Sequence, residues 1–557
     1  MHIIWLIFFI GAKALALPVV ETLQGGIEGV DKGSHTVYLG IPYAKAPIGD
    51  LRWRPPQDPE PFTEIYKADT YGSESLQRLP GANGMDTGRI IGSEDCLYLN
   101  VYVPKNRDHS KQLPVIFWIH GGAYVFGSGN QKIGSMDLYN PTRLVNEGKA
   151  IFVSHNYRLG AMGFFSHPDL LKESGTTGNY GILDTIKALE WVKKNIAAFG
   201  GNPNNITIKG ESAGGATARV MVASKLTKNL FQRAMILSGP DLEEPLEERY
   251  KQADYIRKKL KVRASSKSLQ RLREIPAEEF VRQFPLKVDG PKPEVMLTYG
   301  PTIDGHVLKH GVLESIQRGE HNRNVDAFIN TNSGEMELLS HAFMTDVPKE
   351  MSPEEFHDYL ERFVRDPLLT EKITKYYEKH NYPKNKQSLK HILGDLMFHA
   401  PARMMAEYME LHKPGSTYLS LYDKKAGMFE AGHALELFYI FNRHHFLMPL
   451  TFEWKPYDIL LPVNALFRIA KHIYNEHQFS RRMRRYVYRY ARHGNPNKTN
   501  SKLVDPKIPK FRTGKMFVHH DQPKVVSGYR DNFISFLKGI YESRWQSPKQ
   551  CRGLFGS

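Results

Sequence analysis

At 557 residues, 41% apolar and 24% charged, the chain has the composition of a globular protein, which excludes a disordered or fibrous one. The formal charge of +16 would suit a polyanionic partner, but no zinc-finger spacing or RNA-binding signature accompanies it, and this excludes a nucleic-acid reader. Only two cysteines occur, Cys96 and Cys551, too few for a disulfide scaffold.

Met1 to Ile10 form a short apolar run, and Ala14-Leu15-Ala16 supplies a small-residue cleavage pattern. Residues 1–16 therefore read as a secretory signal peptide and 17–557 as a single domain exported from the cell. No later stretch is long and apolar enough to span a membrane, and the C-terminus carries neither a retrieval tetrapeptide nor an apolar anchor tail. Asn205-Ile206-Thr207 and Asn497-Lys498-Thr499 are acceptor sequons, so Asn205 and Asn497 are candidate glycosylation sites.

Val19–Thr22 and Thr36–Leu39 alternate with turn residues and predict an antiparallel edge. Leu97–Val103 is a further strand. Val115–Ile119 and Ala150–Ser154 are near-continuous apolar runs, the pattern of strands covered on both faces of a largely parallel sheet. Thr185–Phe199 has helical periodicity. Arg233–Leu237, Ala327–Asn330, Tyr418–Tyr422 and Met516–His519 supply more strands, and Tyr529–Trp545 a final helix. Between Leu237 and Ala327, and again from about Ser352 to His412, the chain is charged and helix-rich. Strands alternating with helices predict an α/β doubly wound sheet, with the helical insertions as a cap over one edge. The basic runs Arg257–Arg263 and Arg481–Arg485 read as solvated helix faces. The sharper alternative is attraction to heparin-like polyanions or anionic membrane surfaces.

The chemistry is concentrated in Gly210-Glu211-Ser212-Ala213-Gly214, which ends the β-branched run Asn205–Lys209 and opens a helix-compatible stretch. Strand, Gly-x-Ser-x-Gly and helix in that order form a nucleophile elbow, in which a Cβ at Gly210 or Gly214 would collide with the adjoining strand or helix. The turn lifts the Ser212 hydroxyl above the sheet and aims the first helical N–H groups at the same point. His120-Gly121-Gly122-Ala123 follows a buried strand, where a second set of oxyanion donors belongs, so Gly121, Gly122 and Ala213 are the candidate oxyanion hole.

The chain resembles the carboxylesterase/cholinesterase family (type-B carboxylesterases, α/β-hydrolase fold) over nearly its whole length. The resemblance rests on Gly40-Ile41-Pro42-Tyr43-Ala44, Leu51-Arg52-Trp53, Ser93 to Asn100 (S-E-D-C-L-Y-L-N) and Asn156-Tyr157-Arg158-Leu159-Gly160. It continues through Gly178-Asn179-Tyr180-Gly181, Trp191-Val192, Asn195-Ile196, Phe199-Gly200-Gly201-Asn202-Pro203, Gly494-Asn495-Pro496-Asn497 and Tyr529-Arg530. It implies a large mostly parallel sheet and two further roles. The family's acid follows a sheet strand, where this chain has Asn332-Ser333-Gly334-Glu335-Met336; Glu335 is the implied orienting carboxylate and Glu337 its competitor. The family's histidine pattern matches His433-Ala434-Leu435-Glu436-Leu437, which makes His433 the implied general base. Arg52 with Glu94, and Arg158 with Asp184, resemble the family's internal ion pairs.

Several departures qualify the match. Met336 stands where the family has glycine, and Lys209 replaces an apolar residue before the elbow. A buried lysine there must pair, snorkel or lose its charge. Ser75 occupies the position of the cysteine that the family bridges to Cys96, which leaves Cys96 as a candidate free buried thiol. Cys551 could then join two chains, pair with Cys96 or stay reduced. Asp86 stands where cholinesterases place a cation-binding tryptophan, which argues against choline esters. G-E-S-A-G departs from the G-Q-S-A-G of juvenile hormone esterases.

The function implied is a secreted serine carboxylesterase acting on a small-molecule or lipid ester, needing no metal or cofactor. Ser212 attacks, His433 takes its proton, and Glu335 orients the imidazole. The alternatives are a non-catalytic adhesion protein of the same family, which tends to lack the serine, and an interfacial lipase, which differs only in its cap and acyl pocket.

Overall fold

The computed structural model describes residues 18–80, 86–283, 299–364, 366–425, 430–447, 462–499, 505–511 and 515–545. The leader and Cys551 lie outside the described residues.

Eleven strands build one twisted sheet. In chain order they are β1 (Val30–Asp31), β2 (His35–Pro42), β3 (Tyr98–Pro104), β4 (Leu113–Ile119), β5 (Ile151–His155), β6 (Gly201–Glu211), β7 (Arg233–Leu237), β8 (Asp326–Asn332), β9 (Thr417–Tyr422), β10 (Lys515–His519) and β11 (Lys524–Ser527). Their spatial order is β11-β10-β9-β8-β7-β6-β4-β5-β3-β2-β1. Strands β4 to β10 run parallel to one another, and the antiparallel strands are confined to the two sides. Every residue of β4 and β5 is buried, the state their unbroken apolar sequences require of strands sandwiched between helix layers. The fold is the α/β-hydrolase fold, a large mostly parallel sheet flanked by helices.

Three details differ from the sequence expectation. Val19–Thr22 does not join the main edge; it folds back on Gly25–Glu28 in a separate three-stranded sheet with Tyr66–Lys67. Gly25, at φ 125°, supplies the reversal. The helix expected from Thr185 begins at Tyr180, because Gly181 is a packing residue and no breaker: a Cβ there would lie 2.6 Å from the Arg158 carbonyl oxygen. Finally, the helical run Lys386–His412 is interrupted by one π turn, Asp395–His399. That turn brings the Phe398 ring to 5.1 Å from the His433 ring, so this insertion covers the same end of the sheet as the elbow.

The basic stretches are largely occupied. Arg257 pairs with Asp254, Arg484 with Glu147 and Arg485 with Asp505, while Arg482 donates to the His520 carbonyl. Among the described residues no helix is long and apolar enough to cross a membrane.

Candidate active site

β6 ends at Glu211 and the helix α1 (Ala213–Ala223) begins two residues later, leaving Ser212 alone in the turn at φ 55°, ψ −124°. A non-glycine residue pays strain for that conformation and is found where the surroundings enforce it. Here they do. A Cβ on Gly210 would stand 2.1 Å from the Gly214 carbonyl oxygen, and one on Gly214 would stand 2.1 Å from that of Ile119. The elbow is thus wedged between its own helix and β4, as the sequence predicts. The Ser212 N–H donates to the Leu237 carbonyl (3.0 Å), which ties the turn to β7.

The glycine pair after β4 lies against this turn. A Cβ on Gly121 would be 3.0 Å from the Ser212 Cβ, and one on Gly122 would be 2.0 Å from the Phe126 carbonyl oxygen. Gly122 takes its positive φ (108°) at no steric cost, but Ala123 and Tyr124 (52° and 62°) do not, so this loop stores backbone strain as the serine turn does. Ala213 is the first residue of α1, and its N–H is one of the helix's orphan donors. His120 shapes the loop. Its Nδ1 bonds the Gly121 carbonyl at 2.8 Å, its ring stacks on Tyr157, and burial drives its pKa down to about 4, so it is neutral.

Glu335 opens the helix α2 (Glu335–Phe343) directly after β8, and His433 precedes the helix α3 (Leu435–Ile440) after β9. His433 Nδ1–H donates to Glu335 Oε2 at 2.6 Å, while Glu335 Oε1 accepts the Asn332 N–H at 2.7 Å. Asn332 also donates to the Gly432 carbonyl and to Glu436 Oε2, both at 2.7 Å, clamping the end of β8 to the histidine loop. Glu337 faces elsewhere. It accepts from Lys390 (2.8 Å) and Gln387 (3.1 Å), and these bonds override its burial and hold its carboxyl below the usual range. The helical turn separates the two glutamates, and Met336 is accommodated as a buried residue on the core side.

Two buried carboxylates that sequence reasoning missed complete the surroundings. Glu211 Oε1 lies 3.2 Å from His433 Nε2, and Glu436 is fully buried beside Asn332. Each was visible only as the variable residue of a motif, G-E-S in one case and the third residue after His433 in the other. Burial raises both carboxyls; it also opposes a charged imidazole, but Glu211, Glu335 and Glu436 together outweigh it and lift His433 to about 9. Among the described residues Ser212 Oγ makes no hydrogen bond, and the Nε2 edge of His433 faces Glu211. Hydrogen bonds of this kind tighten on formation of the substrate complex.

Lys209 neither snorkels nor pairs. It is fully buried, its Nζ 4.3 Å from the Trp118 ring centroid and 5.4 Å from that of Phe441, and burial lowers its pKa to about 7. Both family-type ion pairs are formed, Arg158–Asp184 fully buried and Arg52–Glu94 partly so. Arg52 grips Glu94 with two bonds of 2.7 and 2.6 Å, and Arg158 grips Asp184 with two of 2.8 and 2.7 Å. Cys96 is a free buried thiol beside Ser75, and burial pushes it up to about 12. The side-chain amides of both sequons are engaged. Asn205 Nδ2 donates to the Arg492 carbonyl and its Oδ1 accepts from Arg233, while Asn497 exchanges two bonds with the backbone of Ile508. A glycan on either would have to displace these bonds.

Comparison with known proteins identifies the family. The model of the "Carboxylesterase family" matches residues 16–537. The chain is 32% identical to the para-nitrobenzyl esterase of Bacillus subtilis (strain 168) over 426 residues, 76% of this chain and 83% of that protein. It is 30% identical to carboxylesterase 1C of Mus musculus over 522 residues, covering 87% and 86% of the two chains. Among solved structures, a PNB esterase superimposes with a TM-score of 0.75 at 28% identity, over 92% of this chain and 98% of its own. The Geobacillus stearothermophilus carboxylesterase EST55 at pH 6.2 gives 0.73 at 30% identity, over 93% and 99%. Sequence, fold and relatives converge: the chain belongs to the carboxylesterase family, the carboxylic ester hydrolases built on the α/β-hydrolase fold.

Proposed function

We propose that the chain is a secreted serine carboxylesterase that works through an acyl-enzyme on Ser212. The observation that carries this reading is the 2.6 Å bond from His433 Nδ1–H to Glu335 Oε2, set beside a serine held in the strained elbow. That bond fixes the tautomer, leaving Nε2 to accept the Ser212 proton as Oγ attacks the ester carbonyl. The N–H groups of Gly121, Gly122 and Ala213 hold the oxyanion. His433 then protonates the leaving alcohol, and a water activated by the same imidazole releases the acid. No step calls for a metal or cofactor.

Export is supported by the apolar run Met1–Ile10 and the Ala14-Leu15-Ala16 pattern, and a single domain by the continuity of one sheet from β1 to β11. Relatives bear names as different as para-nitrobenzyl esterase and acylcarnitine hydrolase, so the shared element is the carboxylic ester itself. A fluorophosphonate probe should label Ser212 stoichiometrically and abolish hydrolysis of p-nitrophenyl acetate, with no label on Ser212→Ala. A label on another residue, or turnover by Ser212→Ala, refutes the reading.

A further inference from the structure

Lys209 is a fully buried charged side chain of the elbow strand that the proposed chemistry does not use. Register explains its position. Lys209 of β6 pairs with Trp118 of β4, so the ammonium is set over the indole face of its cross-strand neighbour. The Phe441 ring, edge-on to Trp118 at 5.2 Å, lies 5.4 Å from the same ammonium. Two residues further along the strand, on the same face, comes Glu211, whose Oε1 lies 3.2 Å from His433 Nε2. Lys209 Nζ has no hydrogen-bond partner among the described residues, and neither do Glu211 Oε1 and Glu436 Oε1. The lysine therefore acts on the site by charge alone.

We propose that Lys209 is a positioning residue of the active site, a buried ammonium seated on Trp118 that balances the carboxylates Glu211 and Glu436 and takes part in the titration of His433. The inference rests on the esterase reading above. The groups facing His433 are Glu211 from β6, Glu335 from α2 and Glu436 from α3, with the Phe398 ring on the cap side. The groups acting on Lys209 are Glu436 and Glu211. The phenols Tyr139 and Tyr422, which these carboxylates also reach, are held neutral by burial. Three carboxylates around one imidazole would hold a proton on it too firmly for a general base. An added positive charge weakens that hold, and because the groups titrate together, its removal raises the pH at which the cluster gives up its proton, whichever member carries it. Burial opposes the charge on Lys209 while Glu436 and Glu211 favour it, so it sheds its proton near 7, below the range of His433 at about 9, and its charge bears on the acid limb from the low-pH side.

The test compares Lys209→Met, which has no charge at any pH, with Lys209→Arg, which keeps one throughout. The readouts are kcat/KM for p-nitrophenyl acetate and the rate of fluorophosphonate labelling, each against pH. The acid limb should fall in the order Arg, Lys, Met from low pH to high. A separation of about one unit between the two variants corresponds to a roughly tenfold difference in kcat/KM below the limb and none above it, with KM unchanged. Methionine fits an aromatic slot, but removing the cation leaves its carboxylate partners buried without it, so Lys209→Met should melt below the wild type, and its pH profiles are read below that melting temperature. If arginine does not fold, the methionine variant decides alone. A limb that stays at the wild-type pH in the folded variants, or shifts in the same direction in both, overturns the proposal. Failure of the wild type to label at Ser212 would instead overturn the esterase reading.

Discussion

Glu335 and Glu337 are two residues apart, yet the first turn of α2 sends one to His433 and the other to Lys390. Glu335→Gln should lower kcat by about four orders of magnitude with little change in KM, because the acid fixes a tautomer and does not touch the ester. Glu337→Gln should keep most of the activity. The reverse result in steady-state kinetics would exchange their roles. The pH profile gives a second check. His433 must be neutral to accept a proton, and its pKa is held up to about 9, so kcat/KM should climb with pH until about 9. Glu211→Gln removes one of the anions that raise it and should move that limb to lower pH. A profile with the same limb in both proteins would mean that Glu211 does not act on the base.

The elements extend the same logic to backbone. Gly214→Ala places a Cβ 2.1 Å from the Ile119 carbonyl oxygen, a backbone atom that cannot swing aside, so the elbow should fail to close and the melting temperature fall with activity. Gly539→Ala is the matched control. It lies within the helix Asp531–Trp545 with nothing inside 4 Å of the added carbon, and should stabilise the protein by up to about 1 kcal/mol. Thermal melts of the two separate a packing glycine from a spare one. Much of this level was legible in the sequence, because β4, β5 and the elbow announce themselves through unbroken apolar runs and paired glycines. The early start of the helix at Tyr180 lay outside the periodic run from Thr185, in a turn where Gly181 leaves room for the Arg158 carbonyl. The carboxylate cluster was hidden for a different reason. Glu211 and Glu436 meet through tertiary contacts, and nothing local marks either as buried. The sequons show the same limit, since a motif reports the acceptor residue and not the backbone carbonyls that occupy its amide.

At the scale of the whole molecule, one eleven-stranded sheet runs from one side to the other, and the buried Cys96 lies just before its strand β3 begins. In the native protein this thiol, pushed up to about 12 by burial, should ignore a disulfide reagent and react only after unfolding. Rapid modification of the native state would place Cys96 at the surface. The strand order has a further consequence for synthesis. Ser212 is translated long before its partners, and His433 follows Glu335 by 98 residues. If the proposed triad holds, the nascent chain carries its nucleophile with no base to activate it, and ester cleavage waits until His433 has emerged. After His433 has been made, the edge of β9 still waits unpaired until β10 has been synthesised. Pairing of β10 ends that exposure of the β9 edge to aggregation, so a helper that shields strand edges is most useful between the synthesis of β9 and that of β10.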